Sequence, residues 1–384
     1  MRYGLVVLCT LTLMSACSQH YSPHPVFVRT SGAPFLKYSN GEDRLGGAKM
    51  TYLDTNILLK VVDSFKTDYI VQLSKFHTAY IPKNLTKPDT THEKDYLTSD
   101  WKVSGDSAFD YVTILLDEKL PYQSLQQINP SRIVLDIYGV HSNTNWIANL
   151  SSAKEIKNAW YEENEDDVVR VFIELNHRQH WGYSIFYNGN KLTIRVKRQP
   201  PVLDISHLTI AVDAGHGGDN IGTEGAKTRI IEKDYTLLIA KELEQELIKR
   251  KARVVMTREK DTTLSMEERM QILRPLEPDL LVSIHLNSAS EDTVQGVSTY
   301  YRYIGFKPLS VAILQHMLEL GLKDYGNIGS FNFALNGITD YPTCLVEVAF
   351  LSNREDEKKV TDPKFRKQAA TKIADGIEQF LHNL

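Results

Sequence analysis

Two histidines and two glutamates, each at or beside an apolar run, are the residues of this 384-residue chain best placed to do chemistry. His216 lies in Leu208–Gly218, LTIAVDAGHGG, where an apolar, β-branched run ends at Asp213 and Gly215, Gly217 and Gly218 surround the imidazole. Glycine costs backbone entropy, so such clustering points to tight turning or to close approach by a ligand. His285 closes a second apolar run, Leu280–Ile284, with Asn287 just beyond it. Glu347 stands inside a third, Cys344–Phe350, and a carboxylate there is costly unless it is paired or binds a cation. Glu232 is the fourth candidate, at the entry of a helix, and Glu224 competes with it. Two histidines and a carboxylate are a ligand set for catalytic Zn²⁺ with one position left for water. The bound ion lowers the pKa of that water to about 7, and a second carboxylate off the metal can take its proton. His216, Glu232 and His285 can fill the ligand roles for one ion, Glu347 that of the base, and Asp213 that of orienting an imidazole. The ligands are far apart in sequence, so spacing alone does not choose Glu232 over Glu224.

The elements that must position them alternate between strand and helix over residues 205–384. This pattern predicts an α/β domain, a mostly parallel twisted sheet flanked by helices, with its site beyond the carboxyl ends of the strands. A helix is expected over Lys233–Arg250, with Leu237, Ala240, Leu243, Leu247 and Ile248 as its apolar stripe. Strand Ala252–Thr257 follows, then a capping box at Ser265–Glu268, strand Gly296–Tyr301 and helix Leu309–Leu322. Asp362 and Pro363 open a last helix to about Leu381.

Ahead of this domain the pattern is one or two small all-β domains, over residues 29–95 and 105–197. Ile57–Val62 and Tyr69–Leu73 carry the β-branched content of the first, which loosely resembles Src-homology-3-like modules. Tyr111–Leu116, Ile133–Tyr138, Val168–Leu175 and Lys191–Val196 are the strands of the second, with a hairpin signal at Asn188–Gly189. Pro88–Ser99 reads as a charged connector, Arg198–Val202 as a linker, and His177 and His180 as an exposed turn.

A net charge of −4 gives no support for a nucleic-acid partner. No apolar run after residue 17 is long enough to span a bilayer. Met1–Arg2, the apolar Gly4–Met14 and then Ser15–Ala16–Cys17 read as a secretory signal, residues 1–16. The small residues before Cys17 resemble a bacterial lipoprotein processing site, which implies lipidation of Cys17 and a tether over residues 17–28. Only Cys344 remains in the globular part, so no disulfide framework is expected.

VDAGHGG, Glu232-Lys233-Asp234, Met256–Arg258, Met266–Arg269, Ser283–Asn287 and Pro342–Asn353 together resemble the zinc-dependent N-acetylmuramoyl-L-alanine amidases of the amidase type 3 family, in family order. The resemblance implies zinc on His216, Glu232 and His285, with Glu347 as catalytic carboxylate, and it prefers Glu232 to Glu224 because only Glu232 stands in the EKD context. Asn287 is retained although the chain has SIHLN where the family more often has SIHAN. Ile128–Ile137, INPSRIVLDI, resembles the core of AMIN domains, which direct periplasmic proteins to the cell envelope. The implied protein is an exported, membrane-tethered periplasmic lipoprotein. It would act on peptidoglycan at the amide between N-acetylmuramic acid and L-alanine. The rivals are a zinc peptidase cutting stem-peptide bonds and a non-catalytic wall-binding lipoprotein.

Overall fold

The computed structural model describes residues 26–39, 48–90 and 94–384. The signal segment, Cys17 and most of the 17–28 tether lie outside the described residues. The tether reading is corrected at its end: Phe27 and Val28 are buried in a strand, Phe27–Thr30, which pairs with Leu58–Phe65 and Thr86–Asp89.

In the C-terminal domain the strands are β1 (Thr209–Ala214), β2 (Arg253–Met256), β3 (Leu280–Asn287), β4 (Val297–Tyr300), β5 (Asp324–Ile328) and β6 (Thr343–Phe350). The helices are α1 (Glu232–Lys249), α2 (Met266–Leu273), α3 (Lys307–Leu318), α4 (Arg354–Thr361) and α5 (Pro363–His382). The sheet runs β2-β1-β3-β6-β4-β5. Its β1–β2, β1–β3, β3–β6 and β4–β5 pairs are parallel and β4–β6 is antiparallel, so the α/β expectation holds. The interior strands β1, β3 and β6 are almost wholly buried, as continuous apolar runs between two helical layers should be.

Helix α1 turns its Thr236, Ile239, Ala240, Leu243 and Leu247 inward. Ile248 is exposed, because it stands off the buried 236–240–243–247 line, and Ile239 takes its place in the core. Helix α3 stops at Leu318, earlier than expected. Gly321 then takes φ +69°, the left-handed conformation that ends helices, and β5 follows. Helix α4, capped by Asn353, and strand β5 were not anticipated: both are short, and α4 is almost wholly polar.

Ahead of this domain one sheet has seven strands, all paired antiparallel, and includes Lys49–Tyr52, Leu58–Phe65 and Asp68–Gln72. The next region packs a four-stranded sheet on a five-stranded one. It begins earlier than residue 105. Thr98–Gly105 is a strand whose Trp101 and Val103 are buried on one face, so the connector keeps only its middle. The Asn188–Gly189 hairpin forms, with Asn188 opposite Lys191 and Gly189 at φ +59°. His177 is exposed and pairs with Glu155, whereas His180 is buried and bonds the Gln127 carbonyl at 2.8 Å. The exposed-turn reading is therefore wrong for His180, which packs against Gly305 of the last domain.

The two β regions share one apolar core. Trp181 leaves it and enters the core of the C-terminal domain, its ring 6.0 Å from that of Phe380. Arg195–Glu277 and Lys197–Asp279 ion pairs, at 2.6 and 2.7 Å, close the same seam.

Candidate metal centre

Strand β1 ends at Ala214, and the chain then turns sharply through His216 at φ +60°, Gly217 at +135° and Gly218 at +56°. A left-handed histidine is strained, so the surroundings must hold it. Two buried arginines do so. Arg269 donates to the carbonyls of Ala214 (2.8 Å) and His216 (2.6 Å), and Arg258 to those of Ala214 (2.9 Å) and Gly215 (3.0 Å). Thr236 of α1 donates to the Gly215 carbonyl at 2.7 Å. Gly215 must lack a side chain, since a Cβ there would stand 2.4 Å from the His285 ring.

Glu232 is the first residue of α1 and is buried. Its Oε1 faces His216 Nε2 at 3.1 Å and His285 Nδ1 at 3.2 Å, and accepts from the Leu286 N–H at 3.0 Å. Its Oε2 accepts from the Thr223 N–H at 2.9 Å. Burial alone would raise the Glu232 pKa, but the two imidazoles outweigh it and hold the carboxyl well below the usual carboxylate range. Burial disfavours a charged His216, yet Glu232 and Asn220 together raise its pKa. His285 Nε2 is buried with no hydrogen-bond partner among the described residues.

One donor atom from each of His216, Glu232 and His285 lies within 4.8 Å of the others, a group able to hold a metal ion. Two imidazole nitrogens and one carboxylate oxygen suit a borderline divalent ion such as Zn²⁺, so the residues present fit the group. Glu224 is not in this cluster: it bridges to Ile231 and pairs with Arg229 at 2.6 Å. Glu347 pairs in register with His285 across the parallel β3–β6 ladder. The two side chains therefore project from the same face on neighbouring strands.

Asp213 does not orient an imidazole. Its oxygens accept from Arg269 (2.5 Å), Thr257 (2.6 Å) and Ser283 (2.6 Å). Burial pushes its pKa up, but the Arg269 charge and these hydroxyls prevail and leave it lowered. The orienting contact for His216 is Asn220, whose Oδ1 lies 2.9 Å from Nδ1. Asn287 ends β3, with its amide 3.3 Å from the Tyr300 hydroxyl. Asn220, Arg258 and Arg269 are the functional positions that sequence reasoning left without a role. The two arginines do fall in the MTR and MEER blocks.

Residues 210–379 match the family model Amidase_3, described as N-acetylmuramoyl-L-alanine amidase, and residues 101–196 match the AMIN domain. The chain belongs to the Amidase_3 family. The Amidase_3 match contains His216, Glu232, His285 and Glu347, and the AMIN match covers most of the paired-sheet region. The chain is 32% identical over 171 residues to the "Probable cell wall amidase LytH" of Staphylococcus aureus. That match covers 44% of this chain and 57% of that protein. The chain thus spans a little over half the length of the curated relatives it matches. The catalytic domain of CwlV, an N-acetylmuramoyl-L-alanine amidase from Bacillus (Paenibacillus) polymyxa var. colistinus, is 33% identical with a TM-score of 0.44. It aligns over 46% of this chain and 98% of its own. The N-acetylmuramoyl-L-alanine amidase of Clostridium difficile 630 is 32% identical, TM-score 0.44, over 46% and 97% of the two chains.

Proposed function

We propose that this Amidase_3 protein is a zinc-dependent peptidoglycan hydrolase that cleaves the amide between N-acetylmuramic acid and L-alanine of the stem peptide. The observation that carries this reading is the convergence of His216, Glu232 and His285 at the carboxyl ends of β1 and β3, with Glu347 on the adjoining strand in register with His285. Bound Zn²⁺ would supply a water acidified to a pKa of about 7 and would polarise the lactyl carbonyl. The chain's own residues do the rest. Asn220 fixes the His216 ring so that Nε2 faces Glu232. Glu347 takes a proton from the attacking water and gives it to the alanine nitrogen. The C–N bond breaks, hydroxyl adds to the acyl carbon, and the proton completes the amine.

The AMIN domain supports a cell-envelope location. We further propose export through residues 1–16 and a membrane anchor through lipidated Cys17, which metabolic labelling with a fatty acid would test.

Mass spectrometry of digested peptidoglycan decides between this reading and a zinc peptidase. Free stem peptides beginning with L-alanine support the amidase, and cuts within the stem refute it. Glu347→Gln is expected to retain stoichiometric metal while losing about 10²- to 10⁴-fold in turnover. An active, metal-loaded variant would remove Glu347 from the base role.

A further inference from the structure

A row of aromatic rings runs along one side of the metal centre. It starts at His285, whose ring centroid lies 5.6 Å from that of Phe333 at 83°. Phe333 stacks beside Phe331 at 6.1 Å and 28°, and Phe331 meets Tyr300 at 4.5 Å. The Tyr300 hydroxyl closes the row. It is 3.3 Å from the Asn287 amide and close enough to Glu347 for that charge to help raise its pKa, after burial. The row therefore begins on a metal-ligating imidazole and ends beside the second carboxylate. Phe331 and Phe333 are both half-buried, Phe333 with one side against the apolar cluster around Leu281 and Leu335, and they stand on an irregular segment between β5 and β6. Two half-open rings inclined by 28° offer an apolar surface that the axial C–H bonds of a pyranose ring can cover.

The segment carrying the rings is held from outside the catalytic domain. Arg302 donates to the Asn332 side-chain oxygen at 3.2 Å and to the backbone carbonyl of Lys49, in the Lys49–Tyr52 strand of the first sheet. The Lys49 N–H donates to the same Asn332 oxygen at 3.3 Å. Asn332 is the residue between the two phenylalanines. Tyr52 of that strand packs beside Gly337, where a Cβ would meet its ring at 3.1 Å. The first sheet thus grips the segment at the point between the rings, and Arg302 is the common partner.

We infer that Phe331 and Phe333 form a stacking surface for a sugar ring of the substrate, and that Arg302 is a positioning residue through which the first sheet sets that surface. The inference rests on the amidase reading above. It is tested by calorimetric binding to the full-length Glu347→Gln protein, loaded with zinc. The probes are N-acetylglucosaminyl-N-acetylmuramoyl tripeptide and the free tripeptide.

Phe331→Ala in that background is expected to weaken the disaccharide-tripeptide about tenfold and to leave the free tripeptide within about twofold. Phe331→Leu keeps apolar volume without the flat face and is expected to lose most of the same affinity with less effect on folding. Arg302→Met is expected to weaken the disaccharide form about threefold, with Arg302→Lys between it and the parent. Metal content should not change in any of them. Equal weakening of both probes, no weakening of either, or no measurable affinity for the disaccharide form would overturn the inference. Failure of the amidase reading shows elsewhere, as unmodified protein that releases no peptides beginning with L-alanine.

Discussion

Asn220 decides which nitrogen of His216 can serve as a ligand. A carboxamide oxygen accepts, so Nδ1 must carry the proton and Nε2 is left with its lone pair toward Glu232. Asn220→Ala is expected to lower zinc affinity about 10- to 100-fold, read by competition with a chromophoric chelator, with little change in far-ultraviolet dichroism. Asp213 acts differently, as the counter-charge that keeps Arg269 over the turn carbonyls. Its pKa is depressed in the fold, so its contribution is present above the unfolded value of about 4 and is lost as the pH falls through the folded value. Urea unfolding of the wild type should therefore lose stability as the pH falls below about 4, and Asp213→Asn should flatten that slope while lowering stability at neutral pH. The four candidate residues could be singled out because His216 and His285 follow apolar runs, Glu232 opens a helix and Glu347 interrupts an apolar run. Asn220 was not, because it bonds His216 across a turn with a left-handed residue in it, and nothing in the residue order GHGGDN announces that closure.

At the scale of elements, the site depends on what the loop between β1 and α1 leaves out. Gly222 takes φ +72°, and a Cβ there would lie 2.4 Å from Glu232 Oε2. Gly222→Ala is expected to cost about 1–2 kcal/mol from backbone strain alone and to displace the carboxylate, so metal analysis should find the variant depleted. The strands and long helices were readable from periodicity and caps. The Ser265–Glu268 capping box forms as read, with both of its reciprocal bonds. Short polar α4 escaped because its buried Asp356 and Glu357 do structural work that no hydropathy pattern displays. Glu357 holds the backbone of Lys227 and Thr228 in the loop leading to Glu232.

For the whole molecule, the linker Arg198–Val202 was legible from its prolines, but the docking across it was not. Trp181 is 2% exposed, yet it lies in the core of a domain that begins more than twenty residues later in the chain. Insertion of one ring into a neighbouring domain leaves no periodic trace in sequence. Trp181→Ala is expected to destabilise the C-terminal domain by about 3–5 kcal/mol, measured by denaturant unfolding. An intact Arg195–Glu277 pair would not compensate, since partly exposed ion pairs contribute about 0–1 kcal/mol. The catalytic domain is therefore expected to lose stability when cut free at residue 205.

The rung shared by His285 and Glu347 also bears on inhibition. Hydrogen-bonded strands lie about 4.8 Å apart, so the proposed metal ligand and the proposed acid–base group project side by side at a spacing set by backbone geometry. A compact head group that chelates with one atom and donates a hydrogen bond with the next, such as a hydroxamate, can engage both without reaching any flanking loop. Its potency should then be insensitive to the Phe331–Phe333 segment and to the N-terminal sheets, which leaves those surfaces free to supply selectivity through whatever is attached to the head group.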